Sequence, residues 1–161
     1  MIPNYIECGK YTGGGLCFIG SEETNGSRIE CVIEITEDRE NLIVSGDYQH
    51  DLNVGKHSFT GTVCKLNLFQ RIGSIDFHDH TLGNISGVLT VTATGVLLLA
   101  RSENGEIQIC QRWDELAQDR CFGINGIVMR VEQPTIHYAL SFGSADPRQT
   151  KSNVVALGDS A

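Results

Sequence analysis

The chain has little of what marks a nucleic-acid binder, a membrane-spanning helical protein or a motif-bearing enzyme. Among its 161 residues, 12 Lys and Arg stand against 20 Asp and Glu, a formal net charge of -8. Phosphate binding needs a surplus of cations on some face, so nucleic acid is not an expected partner, and anionic membrane surfaces are not either. The longest apolar run, at 95–100, is far short of the roughly 20 residues that a membrane helix requires. Residues 1–10 show no positively charged stretch followed by an apolar core, so no secretory signal is expected and a cytoplasmic location is. There is no Gly-x-Ser-x-Gly elbow, no P-loop and no Gly-x-Gly-x-x-Gly fingerprint. Gly13, Gly14 and Gly15 lack the lysine and the helix that a phosphate cradle needs. No cofactor is expected.

Cys-x-x-Cys is also absent. The six cysteines (Cys8, Cys17, Cys31, Cys64, Cys110 and Cys121) are widely and irregularly spaced, mostly among apolar neighbours. Free thiols acting as small hydrophobes are expected, rather than a disulfide framework.

What the sequence does contain is a rhythm of short apolar segments cut by glycine-centred turns. Ile29, Cys31, Ile33 and Ile35 fall on one side of an extended segment, with Glu30 and Glu34 on the other, the period of two that a strand imposes. The 18 glycines, beside only 3 prolines and without a repeat period, suit many tight turns. Short strands are expected at 5–10 and 16–20 around a turn at 12–15. Further strands are expected at 27–36, 42–49, 57–69, 72–81, 85–93, 96–102, 106–113, 124–132 and 135–142. Asn25-Gly26, Thr94-Gly95 and Asn104-Gly105 are the turn signals. Asp114 as a cap, Leu116 and Arg120 four apart, and Gly123 as a stop predict one short helix near 114–121.

The fold class expected is all-β: a single antiparallel up-and-down barrel of about eight to ten strands, with a two-sheet β-sandwich as the alternative. The barrel domain is expected to cover 1–143, with a flexible C-terminal tail at 144–161. The 96–100 strand is apolar on both faces, which suggests that its outer face packs on a subunit partner, as in a homodimer, or on the expected short helix.

This outline resembles the calycin barrels, the lipocalins and fatty-acid-binding proteins, in architecture. The lipocalin Gly-x-Trp near the first strand is missing, since the single Trp is Trp113. Cofactor-free barrel cyclases are of similar size. The resemblance implies an interior able to enclose a small molecule.

Candidate ligand-binding residues follow from strand faces that mix apolar and hydrogen-bonding groups. These are Tyr48 after Leu42 and Val44; Gln111 and Trp113 after Ile107 and Ile109; Tyr138 between Ile136 and Leu140; and Arg130 after Val128. A mostly apolar lining with a few polar groups fits a small apolar ligand. It fits either a cyclase or isomerase that acts by orienting its substrate, or a non-catalytic carrier; a filled core serving as a structural or interaction protein is the third reading. Asp76, His78 and His80 alternate along one strand face as weak metal-ligand candidates. Their other reading is a solvated face opposite Ile75 and Phe77.

Overall fold

The computed structural model describes residues 7–20, 26–38, 41–50, 53–64, 72–116 and 121–145. Ten strands form one closed antiparallel barrel in which each strand pairs with its sequence neighbours and β1 pairs with β10. They are β1 (Gly9–Ile19), β2 (Ser27–Asp38), β3 (Asn41–His50), β4 (Asn53–Cys64), β5 (Ile72–Asp79), β6 (Gly83–Val91), β7 (Gly95–Ser102), β8 (Ile107–Glu115), β9 (Phe122–Arg130) and β10 (Gln133–Ser144). Closure excludes the two-sheet sandwich. It also removes the unpaired edges on which an open sheet would aggregate.

The sequence period sets the two faces of the wall. Along β2, Cys31, Ile33 and Ile35 are buried while Arg28, Glu34 and Thr36 are exposed. Along β9, Phe122, Ile124, Gly126 and Val128 face inward, and Asn125 and Met129 face solvent. Gly105, a turn signal in the sequence, takes φ 73 between β7 and β8, and Gly83, which opens β6, takes φ 77.

Two local expectations are corrected. Gly13, Gly14 and Gly15 make no turn; they lie inside β1, which is continuous from Gly9 to Ile19. A side chain at Gly13 or Gly15 would collide with the carbonyl oxygens of Ser141 or Ala139 on β10, so glycine serves close approach of backbones here. The short helix near 114–121 is also replaced: Asp114 and Glu115 complete β8, and no helix occurs among the described residues. Asp114 accepts an ion pair from Arg112 at 2.7 Å instead of capping a helix. Residues 117–120 lie outside the described residues, as does all but the start of the expected tail, since β10 runs to Ser144 and only Ala145 beyond it is described.

All β-turns of a meander alternate between the two barrel ends. The ends of β2, β6 and β8 and both chain-terminal strand ends, Gly9 and Ser144, share one end. The β5–β6, β7–β8 and β9–β10 turns share the other. One hydrophobic cluster gathers Tyr11, Ile33, Ile35, Leu42, Phe122, Ile124 and Phe142 towards the first end. A second, of Ile85, Leu89, Leu98, Ala100, Ile109 and Val128, lines the β6–β9 wall. On the outside, Val88, Leu99, Cys110 and Ile127 stand in register across four strands, with Leu99 50% and Val88 53% exposed.

Candidate functional site

The interior is chemically graded from end to end. At the first end, Phe122 is fully buried. It stacks on Trp113 at 5.4 Å and Phe142 at 5.1 Å and meets the edge of Tyr11 at 5.1 Å. Four rings of that size concentrate apolar contact at this end. We call this the aromatic end.

At the opposite, polar end, the inward positions carry Tyr48, His57, Asp79, Ser102 and Arg130. Asp79 is buried, and its Oδ1 accepts hydrogen bonds from the backbone N–H of Thr81 at 2.7 Å and of Leu82 at 2.9 Å, closing the β5–β6 turn. The Tyr48 hydroxyl lies 3.3 Å from the same Oδ1 and 3.4 Å from Thr81 Oγ1, and its one proton serves either. His57 stacks on Tyr48 at 5.2 Å, with its Nδ1 3.2 Å from Thr81 Oγ1. Burial, reinforced by the Asp79 carboxylate and opposed by the Thr81 hydrogen bond, pushes the Tyr48 phenol up to about 12. Tyr48 therefore remains a neutral donor at physiological pH.

Midway between the ends runs a directed chain of hydrogen bonds. Trp113 Nε1 can only donate, and it donates to Gln111 Oε1 at 3.2 Å. That fixes the Gln111 amide with its nitrogen turned to the Tyr138 hydroxyl, to which it donates. Tyr138 is thereby an acceptor from the wall, and its own proton has no acceptor among the described residues. Burial pushes its phenol well above the ordinary tyrosine range, so the proton stays on. The Tyr138 ring occupies the space that a side chain at Gly126, its partner across the β9–β10 pair, would take. Phe59 lies likewise over Gly46, whose Cβ would come within 2.7 Å of the ring. Inward glycines thus let large rings lie against the wall.

Several inward side chains stay only partly buried: Val44, Tyr48, Phe59, Ile75, Phe77 and Tyr138. At the aromatic end Tyr11, Phe122 and Phe142 are buried and Trp113 is partly so. Cys31 also faces inward here, and burial followed by the Asp47 carboxylate pushes its thiol up to about 12, leaving it an unreactive small hydrophobe. Cys8, Cys17, Cys31, Cys110 and Cys121 are all thiols; Cys64 has no described side chain.

Of the residues singled out from sequence, Tyr48, Gln111, Trp113, Arg130 and Tyr138 all stand on inward positions. The fold joins Trp113, Gln111 and Tyr138 in one chain, puts Tyr48 in the Asp79 cluster, and sets Arg130 apart at the end of β9. Asp76 and His78 are exposed on the outer face. His80 is exposed in the turn after β5, and His78 Nδ1 is engaged with Asn84 at 2.8 Å. No three metal-ligating groups converge among the described residues. Asp79, His57 and Thr81 were missed. The strand period carried a signal for Asp79, because it shares parity with Ile75 and Phe77 and opposes Asp76 and His78.

No family model matches the chain, and no curated protein matches it. Among solved structures, it is similar to the S-type phycobiliprotein lyase CPES of Guillardia theta. The TM-score is 0.62 and the sequence identity 10%, over 87% of this chain and 88% of that one. At that identity the likeness is one of fold, and the fold is a calycin-like barrel.

Proposed function

We propose that this barrel holds one largely apolar small molecule, whose carbonyl or other acceptor is bound by the Tyr138 hydroxyl. The observation that carries the reading is the Trp113–Gln111–Tyr138 chain. It makes the neutral Tyr138 phenol an acceptor from Gln111, and leaves its own proton with no acceptor among the described residues. An oriented donor in a low-dielectric lining is the usual way a ligand pocket fixes orientation. The calycin-like fold shared with a phycobiliprotein lyase supports a barrel that serves a small molecule.

The chemistry such a site supports is cofactor-independent cyclisation or isomerisation. Tyr138 would polarise a carbonyl by hydrogen bonding, while Phe59, Phe77 and Tyr48 hold the apolar body in a reactive shape. Neither step needs a nucleophile, and one inward thiol, Cys31, is kept protonated. A reducing, cytoplasmic setting is the one that the wide, irregular cysteine spacing suggests.

The test compares wild type with Tyr138→Phe, both purified from the native source without refolding. Bound material is extracted, identified by mass and returned to fresh protein. The reading expects a discrete compound in wild type at roughly tenfold greater occupancy than in Tyr138→Phe. Conversion of that compound to an isomer of equal mass supports the enzyme, and return of it unaltered identifies a carrier. Equal occupancy in the two proteins removes Tyr138 from the site.

A further inference from the structure

Arg130 has no role in the chain ending at Tyr138, nor in the Asp79 cluster. It closes β9 at the polar end, directly across from Ile107 on β8. On its other side the β9–β10 register shifts between Gln133 and Ile136, the kind of irregularity that re-aims a side chain. Its parity is that of Ile124, Gly126 and Val128, so the side chain leaves the wall inward. Ile107, Val128 and Ile136 in this neighbourhood are apolar, and all three belong to the packing of the β6–β9 wall. The Nε of Arg130 is buried and has no hydrogen-bond partner among the described residues.

An arginine cannot shed its charge to relieve such a position. A buried guanidinium N–H without an acceptor is costly, and no carboxylate among the described residues pairs with Arg130. Asp79, the buried inward acid, is on β5, four strands away around the wall, and its Oδ1 is engaged by Thr81, Leu82 and Tyr48. The other described Lys and Arg side chains, Lys10, Arg28, Arg101 and Arg112, are exposed on the outer face. The described interior therefore contains a single positive charge.

We infer that Arg130 receives the carboxylate of an amphipathic organic acid whose apolar body extends along the β8–β10 wall toward Tyr138. This rests on the small-molecule reading above and narrows its ligand class. One guanidinium, with no second cation beside it among the described inward side chains, matches a singly charged head rather than a polyphosphate. Length follows from the register. Gly126, which faces Tyr138, is four residues deeper on β9 than Arg130, or ~13 Å at the usual rise of a strand. The ligand would thus carry an acid at one end and an acceptor for Tyr138 at about that distance from it.

The experiment titrates the full chain with a dansyl-labelled undecanoic acid and with its methyl ester, following dansyl fluorescence. Both probes share the apolar body, so ester binding reports the small-molecule reading and the acid-to-ester ratio reports Arg130. The inference expects the acid to bind about tenfold tighter than the ester in wild type. It expects the ratio to fall to about one in Arg130→Met, which keeps the apolar stem and removes the charge. It also expects acid binding by wild type to weaken as pH falls through the carboxylate range while ester binding holds. Equal binding of acid and ester by wild type overturns the carboxylate anchor and leaves the small-molecule reading standing. Binding of neither overturns both. If Arg130→Met fails to fold, the wild-type ratio and its pH dependence still decide the matter.

Discussion

The two ends of the barrel are built from the same alternation yet do opposite work. At the aromatic end the inward positions hold Tyr11, Trp113, Phe122 and Phe142, whose rings pack on Phe122. At the polar end the inward positions hold Tyr48, His57 and Asp79, which meet one another and Thr81, and Arg130, whose Nε has no partner among the described residues. The aromatic end is where packing is concentrated, and we propose that recognition belongs to the rest of the interior. Proteins commonly separate the two in this way, because a recognition site must keep donors and acceptors uncommitted.

The largest effect should come from breaking the aromatic end. Phe122→Ala removes the ring at the centre of the stack and should cost about 3–5 kcal/mol of unfolding free energy, read as a lower midpoint in urea. A loss comparable to that of an exposed residue would show that the rings are not packed as described. At the polar end, the expected sensitivity is to pH rather than to volume. The folded Tyr48 phenol holds its proton to about 12, whereas the unfolded one releases it near 10.0. Its contribution is therefore complete below pH 10 and is lost as pH rises toward 12, because the unfolded chain binds fewer protons across that window. Cys31 acts in the same direction from pH 9.0 upward. Thermal midpoints should fall with pH across this range, and more gently in Tyr48→Phe and Cys31→Ala. Identical slopes in wild type and both variants would contradict the burial that raises these groups.

The smallest effect belongs outside the barrel. Leu99→Lys replaces a side chain that is 50% exposed in the outer apolar row, and should change stability by no more than about 0.5 kcal/mol. A larger loss, or a change in mass by light scattering, would show that this row is covered in solution.

How much of this was legible in the sequence differs along the same axis. The strand period in 29–35 and 107–113 fixes which residues share a face, and glycine turns at Gly83 and Gly105 fix where strands reverse, so the meander could be read directly. Gly13 to Gly15 misled, because close backbone approach and a turn both call for glycine, and only the β1–β10 pairing across the closure distinguishes them. Asp114 misled for a related reason: the residue that caps helices also ends strands and pairs with arginine. Within the site, the inward residues were readable as mixed faces. Their grouping was not, since Gln111 and Tyr138 are 27 apart in sequence and Tyr48 and Asp79 31 apart, and alternation says nothing about which strands adjoin. The Asp76–His80 stretch shows both sides of this. Its period placed Asp76 and His78 together, yet the member that reaches the interior is Asp79, on the opposite parity.

The most direct test of the central claim is native mass spectrometry of the protein taken from its own source without refolding. The account predicts one discrete organic adduct per chain that leaves on mild activation and carries an ionisable acid when isolated. A bare-chain mass under the same gentle conditions would contradict it, and would assign the polar end to structure alone.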